Sequence, residues 1–589
     1  MRVTLVLALI AVVAASCAKA QDATRPAMSA SAFSGVDPTG SSDSTAGLAA
    51  ALAAASGGEL DLPAGTYLVS TLAPPANTRV VGLGVGVTTI KRLATATQVY
   101  GNPLVVVPTG GDIENLTIDL NSPALGNWWS GIGPAGSTAN VILRNLAVAN
   151  ASFNGLHWDD SAGAWTHVGT IIENVKVTNA GWIGAKLYGI RGGHASNVNV
   201  VSSGWNAIDV DRNSQFQLLN PRSTKAVSPP IIFAGANNPF RTTSSTRNTI
   251  AGRGALAFTV GTGLNYAVGK AIYAYATDSP SNFIYGTVAR YDAGTGALTI
   301  AASASGGAGS FGAWTLVAED GLLLFLGPTN SEVTVDHPVA IDNRHAVSDG
   351  IGIGEVGTTS ATTVTPGTGS KTFTVARAGL AYIGGQSVTI ISQADPTATW
   401  MRGTVTSYSG ATLIVNVASF AGSGAHADWS INTEPGPVTV TGAVIVHAGL
   451  FGFDMASNVT LDGADIENAA SRGLELGLDL GGRMSNASAS NVRIHNTGTS
   501  AAPGQGVYFG NEPYFQSFEN IRLSGIQVYD DQPTRTTQFG VEVDTTDAKF
   551  SNVTLDNASS HYSQVARSPY FEFGGGLDPR LNGPAPRLP

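Results

Sequence analysis

The chain has 589 residues and a formal net charge of −10, with 43% hydrophobic residues, only 12% charged residues and 72 glycines. This composition is too apolar for a disordered chain and too poor in charge for a coiled coil. An acidic chain without Lys/Arg clusters also argues against nucleic acid as a partner.

The first twenty residues read as an export signal. Arg2 precedes the apolar run Val3 to Ala15, too short for a permanent bilayer anchor, and Ala18-Lys19-Ala20 offers a cleavage site before Gln21. Cys17, the only cysteine, also sits in an imperfect lipoprotein-type site that lacks the usual leucine three residues before it. Either route predicts a secreted or periplasmic protein without disulfides. No later stretch is apolar for long enough to span a membrane.

Residues 32–92 carry a recognisable pattern. Ala32-Phe33-Ser34-Gly35-Val36-Asp37-Pro38-Thr39-Gly40 leads to Asp43-Ser44-Thr45, then an alanine-rich helical stretch, Ala46 to Ala55. Gly58-Glu59-Leu60-Asp61-Leu62-Pro63-Ala64-Gly65-Thr66-Tyr67 and Asn77-Thr78-Arg79-Val80-Val81-Gly82-Leu83-Gly84 follow. This segment resembles the N-terminal module of the pectate-lyase superfamily, found in polygalacturonase-like enzymes and phage tailspikes. It departs from the family in having Phe-Ser-Gly and Pro-Thr-Gly where Phe-Gly-Ala and Gly-Asp-Gly are usual. The resemblance covers about a tenth of the chain. It implies a right-handed parallel β-helix with a non-catalytic cap, in which Asp43 and Thr45 are structural.

A repeat follows from the residues themselves. Asn precedes alternating apolar positions at Asn115-Leu116-Thr117-Ile118, Asn145-Leu146-Ala147-Val148, Asn174-Val175-Lys176-Val177 and Asn197-Val198-Asn199-Val200, and again at Asn491, Asn520 and Asn552. The spacing of roughly 23 to 32 residues is that of a solenoid, whose coils bury a core only by stacking. The asparagines are expected to form an internal hydrogen-bonding ladder.

A second strand type supplies the candidate site. Gly155-Leu156-His157-Trp158-Asp159, Gly184-Ala185-Lys186-Leu187-Tyr188 and Ala207-Ile208-Asp209-Val210-Asp211 align with blocks beginning at Gly350, Gly452, Gly473, Gly506 and Gly540. Second and fourth positions are apolar throughout, so alternation sends them inward, Trp158 included. Third and fifth positions then face outward as a polar stripe: His157, Lys186, Asp209, Gly352, Asp454, Glu475, Tyr508 and Glu542, flanked by Asp159, Tyr188 and Asp211.

Two segments about 116 residues apart interrupt the repeat and share Gly-Leu-x-Tyr, Gly-Thr-Val and a later Tyr (Tyr266, Tyr291; Tyr382, Tyr408). They are two copies of one small β module, similar to modules of phage tail proteins. Each is expected to replace a turn of the solenoid and to wall the stripe. The predicted architecture is therefore all-β: an export segment (1–20), a cap (32–92), first coils (93–220), an inserted module (250–318), one coil (321–357), a second module (361–431), C-terminal coils (437–560) and a Pro/Gly-rich tail (574–589).

The stripe suggests carbohydrate chemistry. Asp209 and Asp211, two apart on one strand face, have Cα atoms roughly 6.5–7 Å apart, within the spacing of an inverting glycosidase pair. Asp454 and Glu475, on consecutive coils about 4.8 Å apart, approach the retaining spacing. With Glu355, these carboxylates form the catalytic pool of a glycoside hydrolase acting on a polysaccharide without a cofactor. Arg344, His345 and Asp349 precede the Gly350 block, where Gly352 and Gly354 leave room for a sugar ring, and Trp128-Trp129 reads as an exposed stacking platform. The alternative is a polysaccharide lyase with Lys186, His157 or Tyr188 as base and Asp159, Asp209 and Asp211 holding Ca²⁺. An acidic groove repels uronates, which favours hydrolysis. A third reading is a non-catalytic adhesin, trimeric by analogy with tailspikes.

Overall fold

The computed structural model describes residues 26–560 apart from internal stretches, among them 98–102, 122–128, 160–166, 225–240, 344–348, 354–356, 478–481, 511–515, 544–548 and shorter ones. Trp128, Arg344, His345 and Glu355, like the export segment and the tail, lie outside the described residues.

Period-2 apolar strands pair coil upon coil, always in parallel, into one 24-stranded and one eleven-stranded sheet. The chain passes from one sheet to the other and back to the next coil by the right-handed crossover that parallel strands adopt. The molecule is a right-handed parallel β-helix. Its core is one continuous column of Leu, Ile and Val from every coil, with Trp158 fully buried in it.

The asparagine ladder is real but external. Asn115, Asn145, Asn174 and Asn197 adopt φ of 51–57°, the left-handed region that asparagine tolerates, and there the chain turns a corner between two strand segments. Asn145 Nδ2 donates to Asn115 Oδ1 (3.0 Å), Asn174 to Asn145 (3.2 Å) and Asn197 to Asn174 (2.8 Å), all on the exposed side of the bend. The left-handed bend turns the amide outward while Leu116, Leu146, Val175 and Val198 point to the core. Beside it runs a ladder of alternating charge, Glu59–Arg79–Glu114–Arg144–Glu173–His194, with contacts of 2.6 to 3.1 Å between successive coils. At the N-terminal end, helix Thr45–Ala54 buries Leu48, Ala51 and Leu52 against the first coil, and Asp43 Oδ1 accepts the Thr45 N–H (2.9 Å).

Two six-stranded antiparallel sheets leave the helix. The first runs Arg241–Ser244, Trp314–Ala318, Ala271–Ala276, Ser279–Asp292, Ala297–Gly306, Gly254–Thr259; the second runs Gly357–Ser360, Trp429–Glu434, Ser387–Ser392, Trp400–Ser409, Thr412–Ala421, Gly369–Thr374. The shared tyrosines do the same work in each: Tyr266 donates to Leu316 O (3.2 Å) and Tyr382 to Ile431 O (2.9 Å). The two sheets depart from different corners. One follows Arg222–Thr224 of the large sheet and the other follows Ile351–Ile353 of the smaller one. The second rests on the flank of the helix, where Arg402 donates to Ser485 Oγ (3.1 Å) and Arg402 and Arg483 both approach the Trp400 ring.

Candidate functional site

The eleven-stranded sheet carries the stripe. Its register places His157, Lys186, Asp209, Phe325, Gly352, Asp454, Glu475, Tyr508 and Glu542 in one row across consecutive coils. Tyr188 pairs with Asp211 in the next outward row. One rung was missed from the sequence. Leu324–Leu326 forms a strand between the Asp209 and Gly352 rungs, so the chain between the inserted sheets supplies two rungs instead of one coil. The continuous apolar run from Leu322 to Leu326 hid its alternation.

The stripe faces outward from the sheet yet is largely withdrawn from solvent. His157, Asp209, Asp211, Glu475 and Tyr508 are 2 to 8% exposed. Carboxylates of a solvated face do not behave so; those that are buried must be paired, hydrogen-bonded or protonated. The row meets this demand differently at its two ends.

At the first end, Lys186 Nζ donates to Asp159 Oδ1 (2.9 Å) and lies 4.5 Å from the centre of the Tyr188 ring. Burial opposes ionisation of Asp159, but the Lys186 charge and hydrogen bond overcome it and hold the carboxyl below its ordinary value. His157 packs against Phe153, which in turn stacks with Trp182. Asn154 Oδ1 accepts the Ile183 N–H (3.2 Å), which turns its amide nitrogen toward His157 Nδ1 (2.8 Å). Nδ1 is thereby an acceptor, so the neutral ring carries its proton on Nε2, 3.9 Å from Asp159 Oδ2. Burial, then the Lys186 charge, lowers His157 to about 3.

Asp209 is the unusual group. Burial raises its carboxyl to about 7; the hydrogen bond from Asn206 Nδ2 to Oδ2 (3.1 Å) opposes this, and the charge on Asp211 reinforces it. A hydrogen bond from Tyr188 also opposes the rise. Asp211 Oδ1 accepts the backbone N–H of Arg212 (2.8 Å), whose φ of 59° is left-handed for a non-glycine residue and turns the chain sharply. Tyr188 is pushed well above its ordinary value by burial and by the charges of Asp209 and Asp211.

At the second end, Arg472 Nη1 donates to both Glu475 oxygens (2.8 Å each), and its guanidinium lies 3.3 Å from the centre of the Tyr508 ring and 5.1 Å from that of Phe451. Asp454 stands between Gly352 and Glu475, partly exposed. The Asp209 and Asp454 rungs are three steps apart, about 14 Å along the helix. The two carboxylate groups therefore form separate stations on one row.

Other expected residues serve structure. Trp129 is no platform: it is 3% exposed, belongs to the core just before the strand Ser130–Gly133, and lies under the Arg92 guanidinium. Asp349 Oδ1 accepts the Phe451 N–H (3.0 Å) and so braces the coil above. Among the described residues, no three His, Cys, Asp or Glu side chains converge as a metal-holding group, Asp159, Asp209 and Asp211 included.

The functional residues that the pattern missed share one spacing. Asn154, Asn206 and Arg472 each stand three residues before a stripe residue and reach it: His157, Asp209 and Glu475 respectively. The signal was present as the residue just before each Gly- or Ala-led block, but alternation alone gives no reason to single it out.

No protein-family model and no curated protein matches the chain. Among solved structures it is similar to the A-module of mannuronan C-5 epimerase AlgE6 of Azotobacter vinelandii (13% identity, 90% of this chain and 94% of that one, TM-score 0.40). It is also similar to the catalytic unit of the GH87 α-1,3-glucanase of Streptomyces thermodiastaticus (14%, 91% and 70%, TM-score 0.38) and to the Dettilon tailspike protein (9%, 92% and 68%, TM-score 0.41). Among the described residues no helix is long and apolar enough to cross a membrane.

Proposed function

We propose that the protein is an exported enzyme that hydrolyses a polysaccharide with inversion at the anomeric carbon, using Asp209 and Asp211. One observation carries this reading: a buried carboxyl raised to about 7 stands two residues from a second carboxylate on the same strand face. A general acid works best with a pKa near the working pH. In the proposed step Asp209 gives its proton to the glycosidic oxygen as the bond to the anomeric carbon breaks. Water attacks that carbon from the opposite face and yields its proton to Asp211. Both carboxyls then return to their starting states by exchange with solvent.

The groups that elimination would need are poorly suited to it. His157 at about 3 is a very weak base, and its Nδ1 is already occupied. Lys186 is held by Asp159. Tyr188, raised well above its ordinary value, does not supply a phenolate near neutral pH.

Incubation with a panel of neutral and acidic polysaccharides tests this, following both reducing ends and the ultraviolet absorbance of unsaturated products. New reducing ends without absorbance, lost in Asp209→Asn and in Asp211→Asn, are expected. Absorbance would mean elimination. Retained binding without either product would mean an adhesin.

A further inference from the structure

We infer that Phe325, Gly327 and Gly352 form a sugar-binding subsite beside the Asp209/Asp211 pair, built to take a ring of a neutral, hydroxyl-rich glycan. The inference deepens the hydrolase reading and rests on it for the chemistry of the ligand. Leu324 and Leu326 are 2% and 0% exposed in the core, so alternation turns the Phe325 ring outward, onto the same face as Asp209. Asp209 is buried, whereas Phe325 is only half-buried. A single exposed aromatic is common on any surface, and what distinguishes this one is its surroundings.

Two glycines flank Phe325. Gly352 is the next residue in the row. Gly327 follows Leu326 on the same coil as Phe325, and a β-carbon there would lie 2.1 Å from Asp211 Cγ. The Asp211 carboxylate thus leans over the Phe325 coil, on the side where the ring projects. Beyond Gly352 stands Asp454. The result is an aromatic wall beside Gly352, with the Asp211 carboxylate over Gly327 on one side and Asp454 on the other, the mixture of apolar face and few polar groups expected of a ligand site.

The charges set the class of ligand. Asp211 and Asp454 bring negative charge that disfavours a uronate, while among the described residues Lys186 is engaged with Asp159, and Arg212 lies beside Asp211 and the Tyr188 ring.

The test is calorimetric titration, in the Asp209→Asn background, with neutral gluco-, galacto- and manno-oligosaccharides and with uronate oligosaccharides. At least one neutral probe should bind. Phe325→Ala and Gly352→Val should each weaken it about tenfold, while Phe325→Tyr, which keeps the ring, stays within about threefold. Unchanged binding in Phe325→Ala, preference for uronates, or no binding by any probe overturns the subsite. Thermal melting of each variant separates loss of the site from loss of the fold. Turnover in Asp209→Asn would defeat the catalytic assignment while leaving a ring-dependent affinity intact, so the two failures are distinguishable.

Discussion

Asp209 and Glu475 occupy the same row of the same sheet, both buried and both facing away from the core, yet they meet opposite kinds of partner. Asp209 meets an amide, Asn206, and retains its proton to about neutral pH. Glu475 meets a guanidinium, Arg472, stacked on Tyr508, and both its oxygens are occupied. The partner three residues earlier is a neutral amide in one case and a cation in the other. A buried carboxyl beside a neutral donor is available to give a proton, and one beside a fixed cation is a strut. The expected pairing of Asp454 with Glu475 as a retaining dyad is for this reason not the pair that we propose for catalysis.

The contrast can be broken first at the carboxyls themselves. Asp209→Asn should lower kcat by about 10²–10⁴-fold at unchanged fold, the usual worth of a general acid, whereas Glu475→Gln should cost less than about tenfold. Reducing-end assays and melting curves on both variants check this. Wild-type kcat should also fall as pH rises through about 7, because the acid must carry its proton. A plateau extending well above that value would contradict the assignment.

The next largest effect concerns the strut. Arg472→Ala leaves the buried Glu475 unpaired and should destabilise the protein by about 3–5 kcal/mol, seen in denaturant unfolding. Asn206→Ala removes one neutral hydrogen bond and should cost about 1–3 kcal/mol.

The Asp209 end can also be read through the pH dependence of stability. Asp209 is raised in the folded state, from 3.8 to about 7, so within that window the folded protein holds a proton that the unfolded chain has released. Stability from this group is complete below the lower value and is lost as pH rises, by up to about 1.4 kcal/mol per unit, levelling off above the higher value. Unfolding measured across the window should show this slope in the wild type and lose it in Asp209→Asn. An effect of the same size as that of Asn206→Ala lies away from the row. Asn145→Val, placing a β-branched residue at φ 51°, should cost about 1–3 kcal/mol, and Asn145→Gly much less.

Alternation along a strand is a local property, and for that reason the members of the stripe could be named from spacing: His157, Lys186, Asp209, Asp454, Glu475 and Tyr508 do share a row. The Phe325 rung could not, since an unbroken apolar run carries no period. Trp129 misled because a tryptophan pair in a loop carries no sign of which ring turns inward.

The amino-acid sequence by itself determined the coil, the recurrence of the asparagines and which side chains leave the core, because each depends on residues within one turn of the chain. Tertiary structure alone decided that much of the outward stripe would be withdrawn from solvent, that Asp209 would keep a proton and that Glu475 would be held by Arg472. Those outcomes depend on which side chains meet once coils are stacked and solvent is excluded, and solvation is a property of the assembled surroundings.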